Sequence, residues 1–332
     1  MPENPAAHPA IPAFRVVLLE APRAITARVH LGCLRVTRAL LNLFGWGRHM
    51  YPACRVWAKL FHSGGWVVVE AAHDIRLRLA LHDAFWTSVL LQGEYEPDVE
   101  WLLAKLASSP TLFLDGGANI GWWSLVAEKR FGWNAVAVEP ATHLAGAIRA
   151  NRRLNDSRFD IVRKALWKCD DKSLRFQTDS ARHGAGHLTD VAGYIPDHRL
   201  HLAEAVETVT VDTLVRQWRA QHPGPVQVVI KLDVEGAETE ALMGAAQALG
   251  DGAFVVYEDH GADAACKATQ AAFDLGLTVF ALGRRRLTRI SSLAQAKALK
   301  IHPKTGYNFV AVRPESQGPL AREINNAEPS NI

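Results

Sequence analysis

The stretch FLDGGANIGWW, residues 113–123, places one acid and three glycines directly after a run of apolar residues. Asp115 ends a predicted strand, and Gly116, Gly117 and Gly121 follow it. Glycines let the backbone turn sharply and approach a ligand closely, and the amino end of the next helix offers free N–H groups. The stretch therefore predicts a ligand-binding loop between a strand and a helix.

A second acid, Glu139, ends the next predicted strand. A carboxylate at this position can accept hydrogen bonds from both hydroxyls of a ribose, which indicates an adenosine cofactor but fits both NAD and S-adenosylmethionine. The loop carries Ala118 where a dinucleotide fingerprint has glycine. Asp115 would repel a pyrophosphate and attract the ammonium group of S-adenosylmethionine. The structural alternatives are that Asp115 caps the following helix and that Glu139 is a solvated strand end.

Two further acidic stretches, KLDVEGAE at 231–238 and YEDH at 257–260, follow later predicted strands. The carboxyl ends of parallel strands meet at one edge of a sheet, where ligands bind. We therefore expect Asp233, Glu258 and His260 to face the same cleft as Asp115. Glu238 has two equal interpretations, a functional acid or one that stabilises the first turn of its helix.

The elements that must position these residues follow from periodicity. Residues 65–80 predict strands, with Ile75, Leu77 and Leu79 at a spacing of two, and GEYEP at 93–97 precedes a predicted helix. From residue 111 strands and helices alternate, which indicates an α/β fold with a mostly parallel sheet and helices on both faces. The strand YNFVAVRP, 307–314, closes this region, and residues 168–210 hold polar strand-like pieces without a long helix.

The predicted organisation has four segments: a basic, partly helical N-terminal extension (1–62), a strand–helix segment (63–110), the main domain (111–314) and a disordered tail (315–332). Residues 1–13 are also predicted to be disordered. Residues 14–62 carry eight bases against one acid, Glu20, with leucines near helical spacing. This segment is either a basic amphipathic helix on an anionic membrane or a helical extension packed on the main domain.

Composition narrows the class of protein. The 332 residues are 48% hydrophobic with a net charge of +3, which allows a full core and gives no global sign of nucleic-acid binding. The four cysteines lack metal-ligand or redox spacing and predict reduced thiols. No secretory signal or membrane-spanning run is evident, so we expect a cytoplasmic protein, peripheral at the inner membrane face if residues 14–62 bind lipid.

The motifs DGGANIG, VEP, NRRLN, VDTL, IKLDVEGAE and VYEDH, in this order, resemble the FkbM family of S-adenosylmethionine-dependent methyltransferases. The resemblance covers about residues 90–260. It implies a class I methyltransferase (Rossmann-like) fold, with a seven-stranded sheet in which residues 307–314 form the one antiparallel strand. It also implies O-methylation of a hydroxyl group of a sugar, glycolipid or natural product.

The resemblance implies roles for individual residues. The implied cofactor-binding residues are Asp115, Gly117, Asn119, Gly121, Glu139, Ala165 and Leu166. The first four would hold the methionine part of the cofactor, the fifth the ribose, and the last two would border the adenine. The implied residues at the acceptor are Asp233, Glu235 and His260.

An alcohol acceptor needs a general base near neutral pH. His260 is the first candidate, because an imidazole titrates in this range, and Asp233 is the second. The alternative for His260 is a capping or surface histidine. Asp233, Glu235, Glu258 and His260 could bind a Mg²⁺-like ion, but nothing in their spacing requires one, and we expect no metal.

One departure from the family concerns the loop RHGAGHL, which stands where members often have a small, hydroxyl-rich loop. It leaves the acceptor open and makes His183 and His187 lid candidates or solvent-facing loop residues. Two competing functions remain. One is a non-catalytic, membrane-peripheral protein of polysaccharide assembly, and the other is an NAD-type oxidoreductase.

Overall fold

The computed structural model describes residues 15–20, 24–46, 49–61, 66–93, 95–107, 111–178, 186–189, 202–302 and 306–314. The disorder predicted for residues 1–13 and 315–332, and the position of His183, lie outside the described residues. The chain divides into two compact units, Met1–Tyr95 and Glu96–Ile332. The four-segment division predicted from the sequence stays a prediction.

The described residues of the first unit form a three-stranded antiparallel sheet and three α-helices, and the sheet order is β1–β2–β3. Its elements are β1 (Arg15–Glu20), α1 (Ala24–Leu43), α2 (Met50–Phe61), β2 (Trp66–Glu70), β3 (Arg76–Ala80) and α3 (Ala84–Gln92). Helices α1 and α2 lie within the segment 1–62, and β2 and β3 confirm the strands predicted within residues 65–80. The strand β1 was not predicted.

A small core holds the helices of the first unit together. Leu34, Met50, Cys54 and Leu91 are buried in one cluster. The Trp57 indole donates a 3.0 Å hydrogen bond to the Thr37 hydroxyl and so links α2 to α1. One face of α1 is therefore committed to packing inside this unit.

The second unit alternates strands and helices from residue 111 onward, as predicted. Its first elements are α4 (Pro97–Leu106), β4 (Thr111–Gly116), α5 (Trp122–Phe131), β5 (Asn134–Val138), α6 (Thr142–Leu154), β6 (Asp160–Val162), β7 (Ala165–Leu166), β8 (Ser173–Thr178), β9 (His187–Leu188) and β10 (Leu202–Val209). The remaining ones are α7 (Val211–Gln221), β11 (Gln227–Leu232), α8 (Glu238–Met243), α9 (Ala246–Gly250), β12 (Phe254–Glu258), α10 (Lys267–Asp274), β13 (Thr278–Gly283), β14 (Arg286–Ile290), α11 (Leu293–Leu299) and β15 (Asn308–Val312).

The main sheet has the order β14–β13–β15–β12–β11–β4–β5–β6. Its pairs from β12 to β6 are parallel, and β15 runs antiparallel to both of its neighbours, as predicted for residues 307–314. The strand order reverses between β4 and β11, because β5 follows β4 on one side and β11 lies on the other. A crevice at the carboxyl ends of β4 and β11 is the ligand position that such sheets favour.

The predicted strand number is wrong by one, because the described residues form a sheet of eight strands and not seven. The prediction of a single antiparallel strand is wrong as well, because β14 and β15 both run against the other six strands. The added strand β14 pairs antiparallel with β13 through a tight turn in which Arg285 has a φ of 59°. Its sequence RLTRI alternates apolar and polar residues, which fits an edge strand with one buried face. This hairpin was not predicted from the sequence, because the basic turn GRRR interrupts the apolar periodicity.

The described strands between β6 and α7 form a second, smaller sheet of order β7–β10–β8–β9, and β8, β9 and β10 confirm strand-like pieces predicted there. Within the described ranges, no helix combines the length and the apolar character needed to cross a bilayer.

Candidate active site

The glycine loop after β4 lies against the turn after β11. A β-carbon at Gly117, whose φ is 76°, would lie 1.8 Å from the carbonyl oxygen of Asp233. The Asp233 amide also donates a 3.0 Å hydrogen bond to the Gly116 carbonyl. Only glycine allows both the left-handed backbone and this approach, so the loop joins the two strand ends at the crevice.

Several hydrogen bonds fix the loop in place. The amides of Gly117 and Ala118 donate to the Val138 carbonyl at 3.0 and 3.1 Å. The buried Asn151 amide group of the NRRLN motif donates to the Ile120 carbonyl at 2.9 Å. These contacts tie the loop to the end of β5 and to α6. Gly121, with a φ of 86°, is the N-cap residue that directly precedes α5.

Glu139 is buried at the end of β5, so it is not the solvated strand end of the alternative interpretation. One carboxylate oxygen accepts the Asn119 amide at 2.9 Å, and the other accepts the Ala141 amide at 3.0 Å. It therefore connects the glycine loop to the start of α6. A carboxylate has about four acceptor positions, which leaves capacity for ribose hydroxyls.

Asp115 is buried at the end of β4, and one of its oxygens accepts both the amide and the hydroxyl of Ser124, at 2.9 and 2.6 Å. Burial raises the pKa of Asp115 to about 6, while Lys231 and the hydrogen bonds from Ser124 act in the opposite direction. Asp115 thus caps the first turn of α5, as in the structural alternative for this residue. Its contact with a cofactor ammonium group stays a prediction.

A buried lysine that sequence reasoning missed lies between the acids. Lys231 is the register partner of Asp115, and its amine lies 3.0 Å from an Asp233 carboxylate oxygen and 3.5 Å from a Glu96 oxygen. Burial acts to lower the pKa of Lys231, but the carboxylates of Asp233, Glu96 and Asp115 outweigh it and hold the pKa above its usual value. Lys231 is therefore a permanent cation inside the site.

Glu96 is the second residue that was missed. It precedes α4 with a φ of 42°, its carboxylate accepts the Trp123 indole N–H at 2.7 Å, and it accepts the Asn308 side-chain amide at 3.2 Å. The acid in GEYEP was visible in the sequence, but no spacing rule links it to residues 27 and 212 positions away. A strained left-handed backbone at a non-glycine residue is typical of functional sites.

The turn after β11 is built around Glu238. This buried side chain accepts the amides of Val234 and Gly236, both at 2.9 Å. Burial raises the pKa of Glu238 to about 7, although these hydrogen bonds oppose the shift. Of the two interpretations, the structure shows the stabilising one: Glu238 shapes the turn that presents Asp233 and Glu235.

Glu235 lies at the tip of this turn with a φ of 52°, and its side chain is exposed. Desolvation by the surrounding protein raises the pKa of Glu235, and the carboxylates of Asp233 and Glu238 raise it further. The desolvation is only partial, since the side chain still reaches solvent. Glu235 is therefore an accessible carboxylate whose proton affinity exceeds that of an ordinary glutamate.

Glu258, at the end of β12, belongs to the same acidic group. Burial raises the pKa of Glu258 to about 10, with further increases from Asp233, Glu235, Glu238 and Glu96. Desolvation and the neighbouring carboxylates therefore favour the protonated form of this side chain. In this form it can donate a hydrogen bond as well as accept one.

His260 is exposed in the turn after β12. Its Nδ1 atom accepts the Ala262 amide at 3.1 Å. A neutral imidazole that accepts at Nδ1 carries its proton on Nε2, so neither ring nitrogen presents a lone pair to a substrate in this arrangement. The capping alternative is realised here, and the catalytic role of His260 stays a prediction.

The residues expected to border the adenine lie beside the glycine loop. Ala165 and Leu166 form the buried strand β7, which pairs with Thr208 and Val209. A β-carbon at Gly116 would lie 2.5 Å from the Leu166 side chain. This contact places Leu166 next to the start of the loop. His187, half-buried in β9, pairs with Gln177.

The chemistry of these side chains distinguishes the two cofactors considered from the sequence. Asp115, Glu139, Asp233 and Glu235 surround the loop, with Lys231 as the cation among them. S-adenosylmethionine carries a sulfonium and an ammonium group, whereas NAD carries a pyrophosphate. The residues fit the former, because an acidic crevice attracts cations and repels a pyrophosphate. Among the described residues, no group of three or more His, Cys, Asp or Glu is arranged to hold a metal ion.

Several solved methyltransferase structures are similar to this chain. The precorrin-6y C5,15-methyltransferase of Geobacter metallireducens GS-15 has a TM-score of 0.35 and 16% identity, with 65% of this chain and 87% of that chain covered. The tRNA (uracil-54, C5)-methyltransferase of Pyrococcus abyssi, in complex with S-adenosyl-L-homocysteine, has a TM-score of 0.38 and 11% identity over 74% and 43% of the two chains. An S-adenosylmethionine-dependent methyltransferase of Agrobacterium tumefaciens has a TM-score of 0.37 and 8% identity over 75% and 70%.

No curated protein matches the chain. In a comparison with models of protein families, residues 115–270 match the methyltransferase FkbM domain. This range begins at Asp115 and includes the glycine loop, Glu139 and the turn after β11. The match to this methyltransferase family identifies S-adenosylmethionine as the cofactor. The chain therefore carries an FkbM methyltransferase domain, as its motifs predicted.

Proposed function

We propose that this methyltransferase transfers the methyl group of S-adenosylmethionine to a hydroxyl oxygen of a sugar, glycolipid or natural product. The proposal rests on three carboxyl groups, those of Asp233, Glu235 and Glu258, which lie at the carboxyl ends of the neighbouring strands β11 and β12. Carboxylates accept hydrogen bonds from hydroxyl groups, and a neutral Glu258 can donate one in return. This combination fits an acceptor rich in hydroxyl groups.

The proposed cofactor site uses the loop and the two strand-end acids. Gly117, Asn119 and Gly121 let the backbone approach the methionine part next to Asp115, while Glu139 accepts hydrogen bonds from the ribose. Ala165 and Leu166 form the apolar border for the adenine. When bound, the sulfonium supplies a methyl group that is already activated for in-line displacement.

The protein then has two tasks, to orient the acceptor oxygen and to remove its proton. Glu235 is the proposed general base, because its carboxylate is exposed and has a raised proton affinity. The acceptor O–H proton passes to Glu235 while the oxygen forms its bond to the methyl carbon and the carbon–sulfur bond breaks. Asp233, held by Lys231, orients the acceptor. His260 stays a second candidate for the base, on condition that it releases the Ala262 amide.

Localisation forms part of the same proposal. A cytoplasmic enzyme that is peripheral at the inner membrane face through residues 14–62 would reach a lipid-linked glycan or glycolipid directly. Basic residues in this segment support contact with an anionic surface. The competing non-catalytic function predicts cofactor binding without turnover.

The test is methyl transfer from isotopically labelled S-adenosylmethionine to a panel of sugars, glycolipids and polyketide alcohols, with the position of the label determined by NMR. We expect a methyl ether on at least one hydroxylated acceptor. Titration with S-adenosylhomocysteine is the control for an intact cofactor site. A product methylated on carbon or nitrogen would contradict the proposal, and tight cofactor binding without any product across the panel would favour the non-catalytic function.

A further inference from the structure

The helical hairpin of the first unit exposes an unusual amount of apolar surface. In the part of the chain that the structure describes, twelve large apolar side chains are exposed, and ten of them lie between Ile25 and Leu60. Five of the ten belong to α1, namely Ile25, Val29, Val36, Leu40 and Leu43. Their exposed fractions range from 49% to 78%.

These five side chains form one continuous stripe along α1. At about 100° per residue, the intervals of 4, 7, 4 and 3 residues keep them on one face of the helix. The opposite face holds Leu31 and Leu34, which are buried, and α1 packs against α2 and α3. The helix is therefore apolar on two opposite faces, and packing inside the unit accounts for only one of them.

Positive charge borders the stripe. Residues 21–69 contain seven bases and no acid. Arg28 and Arg35 are exposed along one edge of the stripe, and on α2 the exposed pair Arg55 and Lys59 lies beside exposed apolar residues of the same turns. Such a surface complements anionic lipid headgroups, and each base near an anionic bilayer contributes on the order of 1 kcal/mol.

An exposed aromatic pair lies at the end of the same stripe. Phe44 and Trp46 follow α1 directly, are 60% and 53% exposed, and have ring centroids 5.5 Å apart. Tryptophan is enriched at the boundary between lipid and water, where its ring is buried and its N–H group stays hydrated, and Phe44 adds an apolar ring beside it. The pair extends the apolar surface beyond the last turn of the helix.

The charge pattern also indicates whether a second copy of the chain or a lipid bilayer covers the apolar stripe. A second copy docked through the same stripe would bring like-charged arginines together, with no acid in residues 21–69 to pair with them. An anionic bilayer offers apolar chains for the stripe and phosphates for the bases at its borders. The observations therefore favour lipid over a second copy.

We infer that α1, α2 and residues 44–46 form a membrane-docking surface that lies in the plane of an anionic bilayer, with the α1 stripe and the Phe44–Trp46 pair in the lipid. This inference deepens the membrane association included in the proposed function, by naming the inserted residues and the lipid class. It does not depend on which hydroxyl group is methylated.

The test is co-sedimentation of the full chain with phosphatidylcholine vesicles, with and without phosphatidylglycerol. The variant Val36→Glu/Leu40→Glu places two charges in the stripe. Met243→Glu/Ile301→Glu is the matched control, since these are the other two large apolar side chains that are exposed in the described part of the chain. We expect the wild type and the control to pellet with anionic vesicles, and the stripe variant to lose at least about tenfold in vesicle affinity, as expected when buried apolar area is removed. Circular dichroism checks that all variants are folded.

Equal pelleting of the stripe variant and the wild type would overturn the inference. A wild type that ignores anionic vesicles but forms a concentration-dependent dimer, lost in Val36→Glu/Leu40→Glu, would also overturn it and identify a second copy as the partner. Titration with S-adenosylhomocysteine and activity on a soluble acceptor separate this result from the enzymatic proposal. We expect both to be unchanged in the stripe variant.

Discussion

The Lys231 amine lies 3.0 Å from the carboxylate of Asp233, at the end of the strand next to the glycine loop. This ion pair joins a buried cation to the acid that immediately follows the same strand. It also brings Glu96 to the site, because the Lys231 amine lies 3.5 Å from a Glu96 oxygen. One buried lysine thus holds together acids that would otherwise repel each other.

Replacement of Lys231 by methionine tests this organising role. The variant leaves Asp233, Glu96 and Asp115 without their shared cation, and breaking a buried ion pair from one side costs about 3–5 kcal/mol. We expect the free energy of unfolding at neutral pH to fall by an amount in that range, measured by urea denaturation. Lys129→Met, at an exposed position of α5, should change it by less than about 0.5 kcal/mol. Equal effects of the two substitutions would contradict the role of Lys231.

Gly117→Ala tests the contact between the two loops. Its β-carbon would lie 1.8 Å from the Asp233 carbonyl, and the φ of 76° adds backbone strain of about 1–3 kcal/mol. We expect a loss of S-adenosylhomocysteine affinity of at least about tenfold, which corresponds to 1.4 kcal/mol, together with a lower melting temperature. Isothermal titration and calorimetry measure the two effects.

A matched glycine is available as the control. Gly146 lies within α6, and no atom lies within 4 Å of a β-carbon placed there. Gly146→Ala should stabilise the helix by about 0.5–1 kcal/mol and leave cofactor binding unchanged. The same response at both glycines would show that the close approach at Gly117 has no consequence.

Much of this site could be predicted because its residues sit at strand ends. Asp115, Glu139 and Asp233 were placed from the alternation of strands and helices alone, since parallel strands bring their carboxyl ends to one edge. The glycine loop was predicted from the three glycines that follow the acid at the end of β4. Local periodicity is therefore enough for residues whose position depends on their own strand.

The residues that were missed depend on distant partners. Glu96 contacts Trp123, Lys231 and Asn308, which are separated along the chain by whole elements. No local pattern encodes such contacts, and a lysine inside a strand normally predicts an exposed position. His260 was ranked by its intrinsic pKa, whereas its hydrogen bond to Ala262 depends on turn geometry that the sequence does not specify.

Glu258 makes the stability of the domain fall as the pH rises. The pKa of this group is raised from 4.5 to about 10 in the folded protein. The folded state therefore binds more protons than the unfolded state between these values, so stability falls as pH rises through the window. Glu258→Gln is neutral throughout. We expect it to have almost wild-type stability near pH 5 and a smaller loss of the free energy of unfolding between pH 7 and 10, measured by urea denaturation at each pH.

Glu240→Gln, on α8, controls for the loss of one acid. The same slope of the free energy of unfolding against pH in wild type and Glu258→Gln would refute the assignment.

The choice of general base separates Glu235 from His260. Glu235→Gln keeps the shape of the side chain but removes its ability to accept the acceptor proton, and we expect kcat to fall by about 10²–10⁴-fold while S-adenosylhomocysteine binds as in the wild type. The acidic limb of the pH–rate profile should disappear in this variant, because that limb reports protonation of the base.

His260→Ala should lower kcat by less than tenfold, since the Nδ1 atom of His260 accepts the Ala262 amide. A larger loss in His260→Ala than in Glu235→Gln, with the acidic limb retained in Glu235→Gln, would assign the base to His260 and show that its ring leaves the turn during catalysis.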